Sequence, residues 1–118
     1  MRFFSKKEFL CQHCGQDGIQ PEIVKVLDKM REQCGFPFVI SSGYRCEDHP
    51  IEAAKATPGT HQKGYAVDIA VRGANALAVI RSAMEHGIKR IGVNQKGSGR
   101  FIHVDCDPDR QSPAIWSY

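Results

Sequence analysis

Apolar positions recur at two spacings along this chain, and the change from one to the other marks out its elements. The opening is polar and turn-rich and ends at Gly15-Gln16-Asp17-Gly18. Within it, Phe3, Phe4, Phe9 and Leu10 are expected to pin the segment to the core. Ile23, Val24, Leu27 and Met30 then recur at helical intervals, with Cys34 completing the stripe. Pro21 suits the first turn of that helix and Gly35 its stop. Phe36 to Ser41 reads as a strand, because Phe38-Val39-Ile40 is a short apolar run bounded by Pro37 and Gly43. His49 to Ala56 reads as a short helix starting at Pro50, followed by a turn at Thr57-Pro58-Gly59-Thr60. The near-continuous apolar run from Tyr65 to Val71 predicts a strand, broken at Gly73. Ala74 to His86 predicts a second long helix with Leu77, Ile80 and Met84 on one face and Gly87 as its end. Ile88 to Val93 and Arg100 to Cys106 predict two further strands, joined by the Gly/Ser-rich turn Asn94 to Gly99. The tail, with Pro108, Pro113 and Trp116, reads as irregular, with Trp116 packed against the body.

Composition adds limits. A chain of 118 residues suggests a single domain, 1–118, with a modest core. Hydrophobic residues make up 42% and charged residues 25%, the balance of a soluble globular protein. The net charge of +3 is weakly basic. Lysines and arginines are scattered, and the pairs Lys6-Lys7 and Lys89-Arg90 read as solvated surface, so no nucleic-acid partner is expected. A slight positive charge does favour an anionic substrate such as a cell-wall polymer. No segment approaches the length of a membrane span, so no membrane insertion is expected. Met1-Arg2-Phe3-Phe4-Ser5-Lys6-Lys7 has no long apolar stretch after its charges. Cytoplasmic synthesis without a signal peptide is therefore expected, and action on a cell wall would need another route out. A monomer is expected.

Five cysteines, an odd number, argue against a complete disulfide framework. Cys11-Gln12-His13-Cys14 has the spacing of half a zinc knuckle or of a redox pair. No second C-x-x-C exists, so Cys34, Cys46 or His13 would complete a metal site only through the fold. Buried or idle thiols are the default expectation.

The chemistry concentrates in three residues. His61 precedes the Tyr65–Val71 strand, Asp68 lies within it, and His103 lies in the Arg100–Cys106 strand. Two imidazoles and a carboxylate can hold zinc and leave one position for water, which separates a hydrolytic site from a structural one. A carboxylate inside an apolar run is costly to bury without a partner, and a metal is a natural one. Gly64 lets the chain bend between His61 and Asp68. Strand alternation puts Asp105 on the same face as His103, where it either orients that histidine or contacts the catalytic water.

Ser41-Ser42-Gly43-Tyr44-Arg45, then Gly59-Thr60-His61-x-x-Gly64-x-Ala66-x-Asp68, then Phe101-Ile102-His103-Val104-Asp105 resemble the successive signatures of the zinc D-alanyl-D-alanine peptidases, family M15, in its small single-domain members. The resemblance runs from about the first helix to the strand of His103. It implies an α+β fold with a central antiparallel sheet flanked by helices, shared with D-alanyl-D-alanine carboxypeptidases and the hedgehog signalling domain. It implies that His61, Asp68 and His103 hold Zn2+, and that Arg45 reaches into the cleft to bind a substrate carboxylate or steady an oxyanion. Peptidoglycan peptides, with D-residues and free carboxylates, are the implied substrates, cleaved by a carboxypeptidase or an endopeptidase. A phage lytic enzyme, an endolysin, fits the small size. Many relatives place Glu or Asp three residues before the third zinc ligand; here that position is Arg100, which cannot act as a base. Asp105 is then the candidate base, with Asp107 and His49 more distant. The competing readings are a zinc-containing module that binds cell wall without cleaving it, and a phage structural component.

Overall fold

The computed structural model describes residues 2–118; Met1, which opens the N-terminal stretch, lies outside the described residues. A single 3-10 turn, Lys6–Phe9, precedes helix α1, Pro21–Cys34. Strand β1 is Val39–Ser42, the short helix α2 is Pro50–Ala53, β2 is Ala66–Ala70 and helix α3 is Gly73–Glu85. Strands β3, Arg90–Asn94, β4, Phe101–Asp105, and β5, Ala114–Ser117, complete the chain.

The α+β architecture is the expected one. The five strands form one sheet in the order β1-β2-β4-β3-β5. The first four pair antiparallel, while β5 lies parallel to β3. This corrects the reading of the tail: residues 114–117 are a strand, not irregular coil. β5 alternates half-buried Ala114 and Trp116 with exposed Ile115 and Ser117. It pairs on one side only, which is why its apolar signal is short and weak.

Period-two alternation divides the sheet into two chemically different faces. Val67 and Ile69, Ile102 and Val104, and Ile91 all point to one face, where they join Ile23, Leu27 and Met30 of α1 and Ala76, Val79 and Ala83 of α3 in the core. Both long helices therefore cover the same face. Phe4 and Phe9 close one end of this core, packed against each other at 5.5 Å between ring centroids. Phe4 also lies 6.4 Å from the Phe38 ring. The opposite face carries Asp68, His103 and Asp105.

Helix α1 ends as its sequence demands. Gly35 takes a left-handed φ of 77° and its N–H returns to the Arg31 carbonyl. Helix α3 is rotated from expectation. Leu77 is 70% and Met84 64% exposed, whereas Ala76, Val79 and Ala83 are buried. The two stripes differ by one position, about 100° of helix rotation. The alanine-bearing stripe wins because small side chains let the helix backbone approach the sheet closely, and Ile80 still reaches the core edge.

Candidate functional site

The register of the sheet assembles the site. Asp68 sits directly opposite His103 across the β2–β4 pair, and His103 opposite Gly92 across β4–β3. Ser42 extends this row on one side and Trp116 on the other. Asp68 and His103 are thus cross-strand neighbours on the face that the helices leave open. His61 arrives from the turn before β2. Gly64 makes that turn possible with φ of 84°, and any Cβ there would run into the Gly18 carbonyl oxygen. A hydrogen bond from the Arg45 N–H to the His61 carbonyl, 3.2 Å, ties the same turn to the loop after β1.

All three side chains are buried and converge. His61 Nε2 lies 3.2 Å from His103 Nδ1 and 3.3 Å from Asp68 Oδ1. His103 Nδ1 lies 3.1 Å from the same oxygen. Zinc bonds to N and O of about 2.0–2.1 Å at tetrahedral angles separate ligand atoms by roughly 3.3 Å. The triangle already has the dimensions of one face of such a tetrahedron. The back of each imidazole sets its tautomer. His61 Nδ1 donates to the Gly43 carbonyl at 2.9 Å, and His103 Nε2 donates to Asp105 Oδ2 at 2.6 Å. With an ion in place, each ring would turn a lone pair inward, as a metal ligand must. These residues fit zinc.

The electrostatics of the cluster follow from the same contacts. Burial works to raise the Asp68 pKa, but hydrogen bonds from His103 and His61 outweigh it and hold the carboxyl well below the usual carboxylate range. Burial works against a charged His103, yet Asp105 and Asp68 outweigh it and raise its pKa.

Asp105 is fully buried and stands behind His103. Its Oδ2 holds the ring, and its Oδ1 accepts from Arg90 Nε at 2.8 Å and from the Asp107 N–H at 3.2 Å. Arg90 corrects the reading of the Lys89-Arg90 pair as solvated surface. Its guanidinium is largely enclosed, lies 5.0 Å from the Trp116 ring and donates to the Gln111 carbonyl. Trp116 in turn lies 5.1 Å from the His103 ring, over the space that Gly92 leaves free.

Beside Asp68 opens a cleft of about 420 Å³, lined by Ser41, Ser42, Arg45, His49, Arg100 and Phe101 among others. Arg45 is held in place: Nε donates to Ser42 Oγ at 3.1 Å, Nη1 lies 3.4 Å from Glu52 Oε2, and Nη2 lies 3.5 Å from Asp68 Oδ2. Glu52 escaped notice in the sequence. It is buried on α2, and burial would raise its pKa, but Lys55 and Arg45 together lower it. Its only linear trace is Lys55 three positions on, an ordinary surface spacing. His49 also lines the cleft, with Nδ1 accepting from the Ile51 N–H at 3.2 Å. Asp107 does not join the cluster; it pairs with Lys63 at 2.7 Å.

The family model described as Peptidase M15 matches residues 2–105. Among solved structures, the chain is similar to the L-Ala D-Glu endopeptidase ChiX of Serratia marcescens. The two share 25% identity over 75% of this chain and 80% of that one, with a TM-score of 0.50. No curated protein matches.

Proposed function

The chain belongs to the peptidase M15 family, and from that premise we propose that it is a zinc-dependent peptidase acting on peptides of the bacterial cell wall. The observation that supports this most strongly is the triangle of His61 Nε2, Asp68 Oδ1 and His103 Nδ1, with edges of 3.1 to 3.3 Å. Zinc bound there supplies Lewis acidity, which polarises a carbonyl and makes water a usable nucleophile near neutral pH.

The chain's own groups do the rest. The Gly43 carbonyl and Asp105 fix the tautomers of His61 and His103. Asp105 acts as a positioning residue in this proposal, because both its oxygens are engaged on the far side of His103. Arg45 steadies Asp68 and presents a guanidinium to the cleft, suited to a substrate carboxylate or to charge developing on the scissile carbonyl oxygen. Arg100 adds a second cation at the cleft wall. Wall peptides, which carry D-residues with free carboxylates, suit that pair. Burial, with Arg45 nearby, lowers the pKa of His49 and favours its neutral form. Because Nδ1 accepts from Ile51, the neutral ring carries its proton on Nε2 and can donate it in a hydrogen bond. The likeness to ChiX favours a cut within the stem peptide, at an L-Ala–D-Glu type of bond, over removal of a terminal D-Ala.

A second reading, a module that binds wall peptides without cleaving them, rests on one observation. Among the described residues lining the cleft, Asp68 is the one carboxylate. Mass spectrometry of purified peptidoglycan incubated with zinc-loaded protein separates the two. New amino termini at one bond, lost on chelation and in His61→Ala, are expected. Release of terminal D-Ala instead would make the enzyme a carboxypeptidase. Binding with no new termini would overturn the peptidase reading in favour of the module.

A further inference from the structure

A second convergence of metal-ligating groups lies outside the cluster of His61, Asp68 and His103. The Sγ atoms of Cys11, Cys14 and Cys46 all lie within 4.8 Å of one another. His13 Nδ1 is 3.7 Å from Cys46 Sγ, and the Cys46 N–H donates to Cys11 Sγ at 3.3 Å. All three cysteines are free thiols. Cys11 and Cys46 are buried, while Cys14 and His13 face outward and close the cluster from the solvent side.

The local backbone is shaped for this. The Cys11 N–H reaches the Gln16 carbonyl at 2.9 Å, and the Gly15 N–H reaches the Cys11 carbonyl at 2.7 Å. Gly15, with φ of 75°, turns the chain back directly after Cys14. That tight loop brings Cys11 and Cys14 together and leaves His13 beside Cys46. Cys46 comes from the loop after β1, some thirty residues on, so only the fold completes the set. Zinc–sulfur bonds of about 2.3 Å and zinc–nitrogen bonds of about 2.0–2.1 Å separate tetrahedral ligand atoms by roughly 3.5–3.8 Å. The 3.7 Å between His13 and Cys46 falls in that range. Three thiols cannot all pair as disulfides, whereas one soft divalent ion can take all three together with an imidazole.

We propose that Cys11, His13, Cys14 and Cys46 form a second, structural zinc site of the Cys3His type. With four protein ligands it is closed to substrate, unlike the cluster on the sheet. Its place in the fold gives it a task. Cys46 follows Arg45 directly, and the Tyr44 N–H is bonded to the Phe9 carbonyl at 3.0 Å. The ion would staple the N-terminal segment to the loop that aims Arg45 into the cleft.

The site is testable whether or not the chain is a peptidase. Protein purified from zinc-replete cells under reducing conditions is expected to hold two zinc ions per chain by elemental analysis. The double variant His61→Ala/His103→Ala is expected to hold one. Loaded with cobalt(II), that double variant should show thiolate-to-cobalt charge-transfer absorption in the near ultraviolet. Adding Cys46→Ser should weaken the absorption, and His13→Ala should change the visible d–d bands. Absence of the thiolate absorption from the cobalt-loaded double variant would overturn the proposal, and this reading needs no cysteine variant to fold. Unchanged d–d bands in His13→Ala would overturn the four-ligand assignment. Loss of the sheet cluster's metal alone would count against the peptidase reading and leave this one standing.

Discussion

Asp105 follows His103 by two positions on the same strand, and that offset lets its carboxylate grip the ring it follows. From sequence alone, alternation gave the shared face but could not say whether Asp105 stood before or behind the imidazole. The answer depends on Arg90, which reaches across from β3 and draws the carboxylate to the rear. A positioning role predicts that Asp105→Asn weakens zinc affinity about 10–100-fold, the usual cost of losing a carboxylate that orients a ligand histidine. A chelator competition titration checks this; unchanged affinity with lost turnover would restore Asp105 as a base. The candidate cluster itself was legible because a carboxylate and two imidazoles stand out among β-formers. Glu52 was not, since its burial arises only when α2 folds over Arg45. Asp107 carries a separate prediction. Burial works to raise its pKa, but Lys63, the Asp109 N–H and Arg110 lower it below the ordinary aspartate value. A depressed carboxyl stabilises the fold at pH values above the unfolded pKa of about 3.9, and that contribution is lost as pH falls through the lower folded value. Asp107→Asn should therefore cost about 1–3 kcal/mol at neutral pH, as expected for losing a charged hydrogen bond. It should cost less once the pH is below the ordinary aspartate value. Urea midpoints at neutral pH and below that value measure the difference.

At the level of elements, glycine positions shape the site alongside its polar side chains. Gly92 lies between His103 and Trp116 in the cross-strand row, and a Cβ there would come within 2.5 Å of the indole Nε1. Gly92→Ala should push Trp116 off His103 and cost about 1–3 kcal/mol, as overpacking does. The same change should quench or shift the fluorescence of the chain's single tryptophan; an unmoved emission spectrum would mean that the indole yields without leaving the ring. Neither this contact nor β5 was visible in the sequence. A four-residue edge strand amid prolines carries too little alternation to be read, and Trp116 gains its partner only through parallel pairing with β3. Helix α3 shows the complementary difficulty. Its length and ends were readable, but two apolar stripes competed, and which one faced inward was decided by close approach to the sheet. The strands of Asp68 and His103 were readable because both are central, buried and β-branched around their polar residues.

For the whole molecule, the consequence is an asymmetry between the two faces of one sheet. Helices α1 and α3 cover one face with the apolar core, and the other carries a buried polar cluster of His61, Asp68, His103 and Asp105. Hydrophobic periodicity could foresee the first face. The second becomes intelligible only when the strand order brings β2 beside β4, because the register alone sets Asp68 against His103. A fold of this size has few kilocalories to spare. An ion bound to the native state and not to the unfolded chain should therefore contribute much of the measured stability. With free zinc at a thousand times its Kd, the contribution is about 4 kcal/mol for one site. Stripping the metal should then lower Tm by on the order of 15 °C, since each kilocalorie shifts a domain of this length by several degrees. Calorimetry of the His61→Ala/His103→Ala variant with and without chelator apportions the effect. If the sheet cluster supplied all of it, chelation would leave that variant's Tm unmoved. A further drop on chelation would show that a second ion, anchored where the N-terminal loop meets the turn after β1, helps to close the same small fold.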